Sequence, residues 1–91
     1  MQKFIIKNPN SNKFFVAFEG NDYALNVITT EQKYEAKIFE SGIEAKEWLK
    51  MIWRKTILID CNIIWEVILV DMKNGVNDFE ETMTWYSSIE Y

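Results

Sequence analysis

A chain of 91 residues with 48% hydrophobic and 15% aromatic residues, one proline and three glycines has the composition of one folded domain, which excludes a disordered, collagenous or linker-dominated chain. The net charge of −4 opposes the approach of a nucleic-acid backbone, and the absence of histidine removes Ser-His-Asp and Cys-His catalysis and most zinc sites. A length of 91 residues fits a single domain over residues 1–91. No apolar run reaches the length of a signal-peptide core or a membrane span, so we expect the protein to be cytoplasmic in its host cell and without a membrane partner.

The first predicted elements are two strands joined by a turn. KFIIK (Lys3 to Lys7) and KFFVAF (Lys13 to Phe18) are rich in β-forming residues. Between them, Pro9 and three asparagines favour a turn. This pattern predicts a hairpin.

Two more strands are predicted after the hairpin. Turn residues at 19–22 precede a stretch in which Tyr23, Leu25 and Val27 alternate with their neighbours, as in a half-buried strand. A shorter fourth strand is predicted at residues 34–39.

A helix is predicted from about Gly42 to Lys55. Ser41 and Glu44 have the spacing of a capping box, in which the serine hydroxyl accepts from one unpaired amide of the first turn and the glutamate reaches back to another. Five apolar residues recur at helical spacing and form one face: Ala45, Trp48, Leu49, Ile52 and Trp53. We expect this face to pack on the sheet.

The last third of the chain predicts two strands. IIWEVILV (Ile63 to Val70) is almost continuously apolar, which is typical of a central strand covered on both faces. Asn74-Gly75 favours a type I′ hairpin turn, and TMTWY (Thr82 to Tyr86) then returns as a last strand, at an edge of the sheet. The predicted fold is α+β: an antiparallel sheet of five or six strands with one helix packed on a face.

The segment EAKIFESGIEAKEWL carries a resemblance to a known class of proteins. Ala36, Phe39, Ser41, Glu44 and Ala45, between an N-terminal hairpin and a WEVILV-type strand, are similar to the arrangement in small phage-encoded accessory proteins. The resemblance covers roughly Lys3 to Asp71. It implies a β-rich fold with one helix and a role in phage–host conflict, where such proteins, anti-CRISPR proteins among them, bind host defence or nucleic-acid enzymes.

Residues that could support catalysis or hold a cofactor are sparse in the sequence. The three glycines are scattered singly, so the chain has no phosphate-binding loop, and residues 71–78 do not fit a calcium loop. Glu80 and Glu81 are adjacent carboxylates, but neighbours in sequence are more typical of a solvated acidic turn than of an acid–base pair. Cys61 is a lone cysteine, for which we expect a small buried side chain rather than a disulfide. The sequence therefore predicts a non-enzymatic protein without cofactor or metal.

The tail from about residue 76 combines acidic and aromatic residues. Residues 76–91 contain four acids and no base, whereas residues 1–18 contain three lysines and no acid. Such asymmetry can steer a partner, or the two ends can pair with each other.

Adjacent strand residues point to opposite faces, so at least one ring of Trp85 and Tyr86 should be at the surface unless a partner or the helix covers both. Tryptophan and tyrosine are common interface anchors, and acids around them suit a basic groove. The predicted partner-binding residues are Asp78, Phe79, Glu80, Glu81, Trp85, Tyr86, Glu90 and Tyr91.

The leading prediction is an inhibitor that binds a host protein with a basic surface, in the manner of an anti-CRISPR protein bound to a CRISPR effector. The alternative is a nucleic-acid-binding accessory protein that uses a basic hairpin and a basic stripe on the helix. Its candidate residues are Lys3, Lys7, Lys13, Lys46, Lys50 and Arg54. The chain is expected to be a monomer or a homodimer, the latter by pairing of exposed tail strands.

Overall fold

The structure of the protein, a computed structural model, describes residues 2–21, 24–72 and 79–90. These residues form five strands, one α-helix and two short 3-10 turns, at Lys33–Glu35 and Ser88–Glu90. The elements in chain order are β1 (Gln2–Asn8), β2 (Lys13–Glu19), β3 (Asn26–Thr30), α1 (Gly42–Thr56), β4 (Glu66–Met72) and β5 (Phe79–Ser87). The strands make one antiparallel sheet in the order β3-β2-β1-β4-β5, and α1 packs against β1 and β4. The predicted α+β fold is confirmed.

The sheet has a buried cluster on each face, because side chains alternate along every strand. The helix-side cluster comprises Ile6, Phe15, Phe39, Ala45, Leu49, Ile52, Trp65 and Val67. The far-side cluster comprises Ile5, Phe14, Ala36, Ile68, Val70 and Phe79. Strand β4 supplies residues to both clusters, as its continuous apolar sequence predicts. It is an interior strand between β1 and β5, although β1 rather than β4 occupies the middle of the sheet.

A side-chain hydroxyl forms hydrogen bonds at each end of helix α1. Ser41 accepts a hydrogen bond from the amide of Glu44 at 3.1 Å, which is the serine half of the predicted capping box. At the other end, the Thr56 hydroxyl donates to the carbonyl of Ile52 at 2.7 Å and accepts from the indole nitrogen of Trp65 at 2.9 Å. The second bond ties the last turn of the helix to the chain that enters β4.

The fourth strand predicted at residues 34–39 is not a strand. Strands β1 and β2 pair only near their hairpin, at Lys7↔Phe14 and Asn8↔Lys13, and then separate. The segment fills the gap by single contacts to both: Phe39 exchanges backbone hydrogen bonds with Phe4, at 2.8 and 3.0 Å, and the amide of Lys37 donates to the carbonyl of Phe15 at 3.0 Å. Since neither neighbour offers it a continuous ladder, the segment remains irregular.

Two further predictions need revision at their boundaries. Strand β3 begins at Asn26, later than predicted, and Tyr23 lies outside the described residues. Strand β5 is an edge strand as predicted, but it runs over Phe79–Ser87 rather than Thr82 to Tyr86. The turn at Asn74-Gly75 also lies outside the described residues. No helix in the described part of the chain is long and apolar enough to cross a membrane.

The loop after α1 overturns the prediction for Cys61, which is exposed. The helix ends at Thr56, whose carbonyl accepts from the amides of Ile59 and Asp60 at 3.0 and 2.9 Å. This tight turn directs the following residues away from the core, and Leu58 is 86% exposed beside them.

Candidate partner-binding surface

Trp85 and Tyr86 both turn toward the helix side of the sheet, although they are adjacent in β5. The register passes from Ile68↔Thr84 to Val67↔Tyr86, so Trp85 is the extra residue of a β-bulge. Tyr86 packs against the helix-side cluster, and the ammonium of Lys46 lies 4.3 Å from its ring centroid. The helix therefore contacts both rings, which is the case in which the sequence does not require one of the two rings to be fully at the surface.

The Trp85 ring lies across the start of α1. It meets the ring of Phe4 edge-to-face, with 5.5 Å between centroids, and it covers Gly42, where a side chain would collide with it. Trp85 nevertheless remains 40% exposed. Part of the side chain is packed on the protein and the rest is exposed to solvent.

An apolar row extends from Trp85 across three strands. Phe4 lies opposite Leu69, and Leu69 lies opposite Met83, so their side chains share the helix side. Phe4 and Leu69 are half-buried and Met83 is 53% exposed. We call Phe4, Leu69, Met83 and Trp85 the Trp85 patch. The helix covers the other end of this face, at Ile6 and Val67, and leaves the patch open.

An acidic row borders the Trp85 patch on the same face. Gln2 lies opposite Asp71, and Asp71 lies opposite Glu80, one step further along the strands than Phe4 and Leu69. Glu80 is exposed and Asp71 is half-buried. Two carboxylates thus lie beside the apolar row, in a geometry that suits a partner carrying basic groups around an apolar contact.

Glu81 lies on the opposite face and is engaged within the protein. Its carboxylate accepts from the ammonium of Lys7 at 2.9 Å and lies 3.1 Å from that of Lys33. Burial raises the pKa of Glu81, but the hydrogen bonds and charges of Lys7 and Lys33 together outweigh it, so its pKa lies below the ordinary value of 4.5. The acidic tail and the basic N-terminal hairpin therefore pair with each other at this position, as one of the two interpretations of the charge asymmetry predicts.

The other predicted tail residues differ in their placement. Phe79 is only 7% exposed and belongs to the far-side cluster, because it lies opposite Met72 on that face. Its ring is packed in the core and offers no surface. Glu90 is the last residue of the second 3-10 turn, and Asp78 and Tyr91 lie outside the described residues.

The structure does not unite the six cations of the nucleic-acid alternative into one open surface. Lys3 forms an ion pair with Glu40, Lys7 pairs with Glu81, and Lys46 lies over Tyr86. Lys13 and Arg54 are exposed and Lys50 is half-buried.

The outer edge of β5 is irregular. Its register with β4 shifts twice, between Val67 and Ile68 and between Leu69 and Val70. Bulges twist an edge strand and break the even spacing of the hydrogen-bonding groups that an added strand would need. A partner is therefore better accommodated by side chains of the Trp85 patch than by strand addition to this edge.

Phe4, Leu69 and Met83 were missed by reasoning from the sequence. Each belongs to a different strand, and only the register brings the three together. The aromatic–acidic composition of the tail indicates strand β5, but the exposure of Met83 depends on how far the helix extends over the sheet.

Comparison of the chain with known protein families, with curated proteins and with solved structures found no match. The residues from which the sequence predicts a resemblance to phage accessory proteins have structural roles here: Ala36 and Phe39 are buried, and Ser41 caps the helix. A function for the chain must therefore be argued from the geometry and charges of its own surface.

Proposed function

We propose that the protein is a small inhibitor that uses the Trp85 patch to cover a basic, nucleic-acid-facing surface of a host defence or nucleic-acid enzyme. The observation that carries this proposal is the exposure of Trp85 and Met83 on an apolar row beside Asp71 and Glu80. A CRISPR effector is the class of partner suggested by the resemblance to phage anti-defence proteins. The chain lacks histidine and phosphate-binding loops, which favours binding over catalysis.

The two parts of this surface have different physical roles. The indole of Trp85 is fixed on one side by Phe4, so burying its exposed side in a partner costs little conformational entropy. Aromatic residues held in this way are typical anchors, whose truncation costs on the order of 2 kcal/mol or more of binding free energy. The acids beside it act at longer range and raise the association rate with a cationic partner.

Affinity capture from a nuclease-treated host lysate tests the proposal. The bait is the folded protein, compared with Met83→Lys, which places a positive charge within the Trp85 patch. Lysine is tolerated on edge strands, and Met83 is already half in solvent, so the variant should fold. The matched control is Leu58→Lys, the same new charge at an exposed apolar residue beyond the other end of the helix.

We expect one host protein to be retained by the wild type and by Leu58→Lys and to be lost from Met83→Lys. Purified, this protein should lose nucleic-acid binding when the wild type is added. Retention by Met83→Lys would place the interface elsewhere. Material that disappears on nuclease treatment would support the nucleic-acid-binding alternative instead.

A further inference from the structure

A cavity lies at the opposite end of α1 from the Trp85 patch. It has a volume of about 300 Å³ and lies between the helix-facing side of edge strand β3 and the loop that follows the helix. Leu25, Val27 and Thr29 line one wall at alternate positions, and Ile59 and Ile63 line the other. Ligand sites range upward from roughly this volume, so the cavity fits only a small ligand.

The floor of the cavity is formed by buried, hydrogen-bonded residues. Trp65 and Thr56 line it, and they are only 2% and 3% exposed. The indole nitrogen of Trp65 donates to the Thr56 hydroxyl, and the backbone amide of Trp65 donates to the hydroxyl of Ser88, both at 2.9 Å. Because these polar groups are already paired within the protein, a ligand need not satisfy them.

The charge at the cavity selects the class of ligand. Among the described residues that line it, Asp60 alone carries a charge. One oxygen of its carboxylate accepts from the amide of Asn62 at 3.0 Å, which fixes the side chain at the rim. The C-terminal end of α1, at Thr56, adds the partial negative charge of a helix terminus. The nearby cations Lys13, Arg54 and Lys55 do not line the cavity.

We propose that this cavity binds a small primary amine with an apolar body, the ammonium against Asp60 and the body against Trp65 and Val27. Asn26 and Thr29 add an amide and a hydroxyl with which a further polar group of the ligand can bond. The site is separate from the Trp85 patch and does not depend on the function proposed for that patch.

Three probes of similar shape test the charge preference: phenethylamine, 2-phenylethanol and 3-phenylpropionate. Each is titrated into the ¹⁵N-labelled protein at neutral pH, and the readouts are the indole N–H of Trp65 and the backbone amides of Val27 and Ile63. We expect saturable shifts at these groups, with the amine binding most tightly, the alcohol less tightly and the acid least tightly. A millimolar dissociation constant is expected for probes of this size.

Three variants identify the groups responsible. Asp60→Asn keeps the acceptor for the Asn62 amide and should weaken amine binding by up to about fivefold, the upper limit for an exposed ion pair, while alcohol binding stays unchanged. Thr29→Phe fills the cavity from the edge strand and should abolish binding of all three probes. The matched control is Glu47→Gln, which removes an exposed carboxylate on the helix and should leave binding as in the wild type.

The inference is overturned if phenethylamine produces no shift at Trp65, Val27 or Ile63 at a concentration of about 10 mM, which is tenfold above a millimolar dissociation constant. It is equally overturned if the acid binds as well as the amine, or if Asp60→Asn and Glu47→Gln have the same effect. Binding that survives Thr29→Phe in a folded variant would show that the probes bind elsewhere.

Discussion

Gly42→Ala tests the packing that holds Trp85 at the surface. A Cβ atom at Gly42 would lie 2.7 Å from both Cη2 and Cζ2 of Trp85 and 3.0 Å from Cζ3. Carbon atoms in contact normally lie about 3.5–4.0 Å apart, so the ring must retreat by roughly 1 Å. Trp85 can do so because 40% of the residue is exposed to solvent. The helix therefore still forms, and the ring is displaced.

Two effects on stability nearly cancel in this variant. Replacing a glycine by alanine where alanine can adopt the same backbone angles stabilises a protein by roughly 0.4–1 kcal/mol, and Gly42 has no positive φ. Weakening the edge-to-face contact between Trp85 and Phe4 costs about 0.5–1.5 kcal/mol. We expect the free energy of unfolding in urea to change by less than about 1 kcal/mol, while the indole N–H signal of Trp85 shifts and its proton contacts to Phe4 weaken.

A double-mutant cycle isolates the contact. In a Trp85→Ala background no ring opposes the new methyl group, so Gly42→Ala should give the full gain of about 0.4–1 kcal/mol. The reasoning is refuted if Gly42→Ala changes the unfolding free energy equally in both backgrounds and leaves the Trp85 signal in place.

Lys7→Met should weaken the dependence of stability on acid pH. The pKa of Glu81 is lowered on folding, so its ion pairs stabilise the protein above the ordinary pKa of 4.5, and this stability is lost as pH falls through the lowered value. The free energy of unfolding of the variant should therefore be lower than that of the wild type by up to about 1 kcal/mol at neutral pH, and by less in acid. Thr56→Val should cost about 1–3 kcal/mol in urea unfolding, because it leaves the indole N–H of Trp65 buried without an acceptor. Ser41→Ala should cost about 1 kcal/mol through loss of the helix cap. The bulged edge of β5 predicts a monomer in sedimentation at all concentrations tested.

Each of these predictions has a result that contradicts it. For Lys7→Met, it is a stability curve parallel to that of the wild type from neutral to acid pH. For Thr56→Val, the matched control is Thr82→Val, an exposed threonine whose hydroxyl donates to the carbonyl of Leu69 at 2.9 Å, and an equal cost in both would contradict the role of burial. An unchanged unfolding free energy in Ser41→Ala would contradict a stabilising role for the Ser41 cap. A dimer that dissociates on dilution would contradict the predicted monomer and support dimerisation by pairing of the β5 edges.

Local signals in the sequence predict much of the fold. The turn residues around Pro9 place the first hairpin, Ser41 and the spacing of the apolar residues place the helix to within one residue at its end, and the continuous apolar run predicts that β4 is covered on both faces. These features depend on residues close together in the chain. The predictions that failed depend on distant ones: residues 34–39 have β-forming residues but no neighbouring strand that offers a ladder.

The candidate surface was predicted only in part for the same reason. The composition of the tail indicates Trp85 and its acidic neighbours. It does not indicate that Glu81 pairs with Lys7 across the sheet, that Phe79 faces the core, or that a bulge turns Trp85 onto Gly42. These placements depend on register, and a shift of one residue would exchange the two faces of β5.

The binding kinetics of the captured partner with the wild type and Trp85→Ala test the central claim most directly. Both proteins must first show the same fold by circular dichroism and a cooperative unfolding transition. We predict that Trp85→Ala dissociates about 30-fold faster, equivalent to a loss of about 2 kcal/mol, with little change in the association rate. An unchanged dissociation rate in the folded variant would contradict the claim that the Trp85 patch holds the partner.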